Sequence, residues 1–141
     1  MSLKKALYTY LTAQVGITNL VSTRLYPSVA PESAAKPYVI FSDVTSDHKH
    51  HLTAAAGIVI KRVQFTIYAT SALIADAIKE AFRAELDGFR GVMGTDSLDV
   101  RHVMLSNEID GFNNPIDGDQ TGIHTTILEY EICHSESVPT F

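Results

Sequence analysis

The chain has no tryptophan and a single cysteine, Cys133, among its 141 residues. One cysteine excludes an intrachain disulfide framework, and with it the small stapled folds of oxidising compartments. Without tryptophan, the aromatic part of any core must come from six Phe and six Tyr. Charge is also sparse, at 19% of residues against 45% hydrophobic. That is too little charge for intrinsic disorder and enough apolar material for a packed core. Positive charge is scarcer still: eleven Lys and Arg face sixteen Asp and Glu, for a net charge of −5. The cations are scattered from Lys4 to Arg101 and form no stripe. Phosphate-backbone binding needs clustered cations that release counterions together, so sequence-specific nucleic-acid binding is not expected.

Long hydrophobic runs are missing as well. The longest nearly apolar stretch, Leu52 to Ile60, falls well short of the ~20 residues that a membrane-spanning helix needs. Lys4 and Lys5 resemble the start of a signal peptide, but Tyr8, Thr9, Tyr10 and Thr12 make a poor apolar segment after them. A soluble protein of the cytoplasm, without membrane partners, is the expectation. The sequence contains no nucleophile elbow, no phosphate-cradling glycine loop and no paired zinc motif. Neither an enzyme nor a cofactor is expected.

What is present is a series of periodic segments. Leu3, Leu7, Tyr10 and Leu11 share one helix face, which predicts a helix over about 3–15, capped by Ser2 and ended at Gly16. Residues 17–36, with Pro27 and Pro31, read as mostly irregular. Tyr38 to Thr45 reads as a strand, and so does Ile58 to Ala69, where Val63, Phe65 and Ile67 alternate with Arg62, Gln64 and Thr66. Ser71 caps a helix to Leu86 whose apolar stripe is Ile74, Ala77, Ile78, Ala81 and Phe82, with Gly88 as its stop. Leu98 to Ser106 is a weak strand. His124 to Cys133 is a stronger one, with Leu128, Tyr130 and Ile132 on a single face. The order helix, strand, strand, helix, strand, strand predicts an α+β domain: a mainly antiparallel four-stranded sheet with two helices on one face. Residues 1–141 are read as a single domain with a flexible tail from about residue 135.

Three clusters bear on chemistry. His48, His50 and His51 crowd one segment, and imidazoles bind zinc or nickel. A site needs three or four converging ligands, and Lys49 interrupts the set, so a solvated hairpin tip is the better reading. Asp117-Gly118-Asp119-Gln120-Thr121-Gly122 begins like a calcium loop, but the position of the bidentate Glu is Leu128. A Gly/Asp-rich turn is expected instead. Cys133 and His134 are strand neighbours and point to opposite faces. His102 and His124 are placed to approach Cys133 across strands, but no third group completes a nucleophilic site.

Several segments together carry a resemblance. A first helix ends near Val15-Gly16, then come Arg24-Leu25-Tyr26-Pro27 and Lys36-Pro37-Tyr38-Val39-Ile40-Phe41. Arg62-Val63-Gln64-Phe65-Thr66-Ile67-Tyr68-Ala69-Thr70-Ser71 runs straight into a helix, and a late strand ends Leu128-Glu129-Tyr130-Glu131-Ile132. Over nearly its whole length the chain resembles the phage tail-completion family, which includes tail-terminator and head-to-tail joining proteins.

The resemblance implies a structural virion protein with no catalytic residues, made in the cytoplasm of a bacterial host from a phage or prophage gene. It implies a homo-oligomeric ring, typically hexameric, at the head-proximal end of the tail. Its partners would be the tail tube protein and the head connector. Long loops in compact domains are usually functional, so the stretches 46–57 and 107–122 supply the interface candidates. These are Asp47, His50, Leu52, Ala55, Ile109, Phe112, Asp117 and Asp119. Three readings compete. One is another tail or head-closure adaptor of similar fold. Another is a metal- or small-molecule-binding α+β domain built on the histidines. The third is a monomeric regulatory module, which would want a basic surface or a docking helix.

Overall fold

The computed structural model describes residues 3–31, 34–52, 55–95, 97–113 and 122–139. Its elements run α1 (Leu3–Thr12), α2 (Val15–Val21), β1 (Leu25–Pro27), β2 (Tyr38–His50), β3 (Ala55–Ala69), α3 (Ala72–Leu86), β4 (Gly91–Met93), β5 (Leu98–Asn113) and β6 (Ile123–Ser135). The strands form one curled sheet in the order β1-β2-β3-β6-β5-β4. Among the described residues only the β1–β2 pair is parallel.

This corrects the expected four-stranded antiparallel sheet with two helices: among the described residues the sheet has six strands, is mixed, and carries three helices. The extra elements are short and are made by tertiary packing. Gly16, expected to end the first helix, lies inside α2. That helix forms because Ile17 and Val21, one turn apart, are both buried, which outweighs the weak helix propensity of glycine and β-branched residues. Leu25 is buried and places β1 beside Val39, and buried Met93 places β4 beside Leu98. Most of the first predicted loop and the start of the second are also strand. β2 continues to His50, β3 starts at Ala55, and β5 continues to Asn113.

The core lies between the helices and one face of the sheet. Phe65 is its hub: Phe41 stacks on it at 5.7 Å, Phe82 of α3 tilts against it at 5.2 Å, and Tyr130 meets it edge-on at 5.7 Å. Alternation puts Val63, Phe65 and Ile67 of β3 and Leu128, Tyr130 and Ile132 of β6 into this layer, all fully buried. Each large apolar side chain so buried is worth roughly 1.5–3 kcal/mol.

Helix α3 is capped as its sequence suggests, with Ser71 Oγ accepting from the Leu73 N–H at 3.2 Å. Its buried stripe is Ala75, Ile78, Phe82 and Leu86, rotated from the predicted one; Ile74 and Ala77 are exposed. The small Ala75 is what lets the start of the helix approach the sheet.

Helix α1 buries Leu3, Ala6, Leu7 and Leu11 and touches both outer strands, β1 and β4. At its contact with the β4–β5 turn the backbones are very close. A Cβ on Gly94, which has φ 77°, would fall 2.9 Å from Ala6 Cα.

The sheet edges are unequal along their length. β1 covers only Val39–Phe41 of β2, and β4 covers only Leu98–Val100 of β5. The turn after α3 extends the second cover a little, through Gly88 N–H to Val103 O at 2.8 Å and Leu105 N–H to Asp87 Oδ1 at 3.1 Å. Beyond these points, Ser42–His50 of β2 and Ser106–Phe112 of β5 have no outer strand among the described residues.

Candidate assembly surfaces

Two of the predicted interface patches are held at opposite ends of the sheet. Asp47, His50 and Ala55 sit near the β2–β3 tip, where Asp47 pairs with Ile60 and His50 with Ala55. Leu52 follows at the turn and is fully exposed. Ile109 and Phe112 lie on the open part of β5, opposite Ile127 and His124 of β6. Ile109 and Phe112 are 49% and 51% exposed, which marks them as available apolar contacts. Phe112 also leans on His124 at 4.7 Å. Asp117 and Asp119, with the expected turn around them, lie outside the described residues.

The histidine cluster is dispersed by the strand it stands on. A register shift separates His48 from His50. His48 Nδ1 meets the Glu136 carboxylate at 2.7 and 2.9 Å, across the sheet. His50 and His51 are exposed. Among the described residues there is no group of three or more His, Cys, Asp or Glu placed to hold a metal. Lys49 donates to Asp47 at 2.6 Å, and that bond holds the Asp47 carboxyl below its ordinary range. Both groups are solvated, so the pair adds little to stability. The His48–Glu136 contact was not legible in the sequence, because Glu136 falls in the stretch read as a flexible tail. The chain there continues the sheet through Glu136 N–H to Gly57 O at 2.9 Å.

Beside this contact the sheet buries polar groups. His134 is 4% exposed and opposes Val59. Burial pushes its pKa down, so the ring is neutral and Nδ1–H donates to Ser135 O at 2.7 Å. Lys61 reaches Asp43 at 3.6 Å. Cys133 is buried on the other face, with His102 opposite it in register; His124 opposes Ala69 and Phe112 instead. Burial raises the thiol, which disfavours the thiolate a nucleophile needs. The Tyr130 hydroxyl is likewise pushed up by burial, within the core. These groups satisfy or border the core and converge on no reacting centre.

On the face away from the helices, Tyr38 and Tyr68 stack at 5.0 Å, and Tyr26 meets Tyr38 edge-on at 6.1 Å. Desolvation, and then the two neighbouring phenols, raise the Tyr38 hydroxyl. This ladder extends across β1, β2 and β3 and stiffens that side of the sheet. Among the described residues, no helix is long and apolar enough to cross a membrane.

No protein-family model and no curated protein matches the chain. The solved virion of a native gene transfer agent particle contains a chain of the same fold, with a TM-score of 0.69 and 19% identity over 95% of each chain.

Proposed function

We propose that this chain is a structural subunit of a phage-like virion, and specifically a tail-completion or head-to-tail joining protein. The observation that carries this reading is the shared fold, end to end, with a chain of a gene transfer agent virion. A local motif would not give 95% coverage of both chains.

On this reading, copies of the chain associate into a closed ring at the head-proximal end of the tail, bind the last layer of tube subunits and present a surface to the head connector. The patches around Asp47, His50, Leu52 and Ala55, and around Ile109 and Phe112, are the proposed contacts. The net charge of −5 suits a passage that conducts DNA without gripping it.

Light scattering coupled to size-exclusion chromatography, at low and high concentration, tests the proposal. A mass that climbs to a closed oligomer supports it. A monomer is then mixed with the cognate tube protein. Capture at the tube end supports the terminator role, capture by the connector alone supports the alternative of a head-closure adaptor, and capture by neither sinks both.

A further inference from the structure

On the helix-bearing side, α1 and β1 enclose an open recess of about 580 Å³ lined by Lys4, Lys5, Tyr8, Leu25, Tyr26 and Pro27. Tyr8 and Pro27 present exposed apolar surface there, above the buried Leu25, and Lys4 and Lys5 are cations. The chemistry that fits is an aromatic or aliphatic side chain with carboxylates beside it.

The opposite edge of the sheet carries that combination. Ser106–Phe112 of β5 is an uncovered edge, and such an edge is a template for pairing with another chain. It includes Glu108, Asp110 and Phe112, all exposed. Register places them on the same face as the recess. One row across the sheet reads Leu25, Val39, Ile67, Thr126, Asp110, and the next reads Pro27, Phe41, Phe65, Leu128, Glu108. Residues opposed across neighbouring strands share a face, so Glu108, Asp110 and, by alternation, Phe112 point to the side that bears α1. The recess and the acidic edge therefore lie at the same level, on the same face, at opposite edges.

We propose that the open β5 edge of one copy docks against α1 and β1 of the next, with Phe112 entering the recess and Glu108 and Asp110 facing Lys4 and Lys5. This deepens the ring reading and rests on it. The occupant is a second copy because both halves of the contact are on one chain, opposite in sign, and borne by opposite sides of the sheet order. Strand direction agrees: β1 and β2 run opposite to β3 and β5, so β5 of one copy meets β1 of the next in antiparallel sense. A contact between unlike surfaces, repeated by rotation, is what closes a ring. Two neighbours moderate the acidic side. Thr126 donates to Asp110 at 3.0 Å, and Lys79, bonded to Asp76 at 2.9 Å, lies near both carboxylates.

The experiment uses two full-length variants. Lys4→Glu with Lys5→Glu spoils the recess, and Glu108→Ser with Phe112→Ser spoils the edge. Circular dichroism melting verifies that each is folded. Light scattering is then run on wild type, each variant and their mixture, with tube protein added if wild type needs it to assemble. Each variant alone is expected to associate roughly tenfold or more weakly than wild type, as for loss of a central anchor. The mixture is expected to stop at a one-to-one dimer, because a single junction remains intact. Variants that assemble like wild type, or a mixture that gives no dimer, overturn this contact and leave the ring reading standing. Wild type that stays monomeric at every concentration, with and without tube protein, overturns both.

Discussion

The β2–β3 hairpin is two structures on one ladder. In its proximal half, Val39 and Phe41 face Ile67 and Phe65, and all four are fully buried under the helices. In its distal half, Thr45 to His50 are exposed on both faces, although the register continues to the Ala55 pair. The proximal half is held by apolar burial. The distal half buries Val59 and is otherwise held by backbone pairing and a few polar ties: Lys61 to Asp43, His48 to Glu136, and the Glu136 amide to Gly57. The chain thus separates a half that is buried under the helices from a half that is largely exposed.

The sharpest way to break that division is at its buried hub. Phe65→Ala removes the ring that touches Phe41, Phe82 and Tyr130, and is expected to cost about 3–5 kcal/mol, read as a lower urea midpoint. Gly94→Ala tests the same half through the backbone. It forces a Cβ against Ala6 in a positive-φ position, and about 1–3 kcal/mol of destabilisation is expected from the same denaturation assay.

The third test separates the halves by pH. His134 of β6 stands against the distal half, opposite Val59, and burial depresses its pKa below the ordinary 6.5. Below that value the unfolded chain takes up a proton that the folded chain resists, so stability falls as pH drops through the histidine range. Above it the residue adds no pH dependence. His134→Gln is expected to flatten the urea midpoint between pH 7.5 and 5.5 relative to wild type. The smallest effect is expected at the tip. Leu52→Ser is expected to leave stability within about 0.5 kcal/mol, because Leu52 is fully exposed in the monomer. A change confined to oligomer mass would sharpen the division between the two halves.

The same division governs what was legible in the sequence. The alternation in Val63-Phe65-Ile67 and Leu128-Tyr130-Ile132 could be read directly, because one face of each strand is buried. Ser46 to His50 looked like a loop because a strand exposed on both sides has no hydrophobic period, and backbone pairing leaves no mark on composition. β1 and β4, three residues each, are too short to show any period. Helix α2 runs against its own propensities and exists because Ile17 and Val21 find the core. In α3 the predicted stripe held Ile74 and Ala77, whereas close approach to the sheet buries the smaller Ala75. The apolar interface candidates Ile109 and Phe112 were legible as hydrophobes in a polar stretch. Lys4 and Lys5 were not legible as a surface, because their meaning comes from β1 packing beside α1.

The central β3–β6 pair carries a further consequence, for the speed at which the chain reaches this fold. It joins the two hairpins along their full length, from Ile58 with Ser135 to Ala69 with His124, so the paired residues stand more than a third of the chain apart. Each hairpin is local and can form early. The pair that unites them must close the largest loop before any of its contacts reward it, which is the costly step in chains dominated by distant pairing. Until β6 arrives, β3 is an apolar edge, open to any neighbouring strand. Rapid docking of the second hairpin is then what closes that edge.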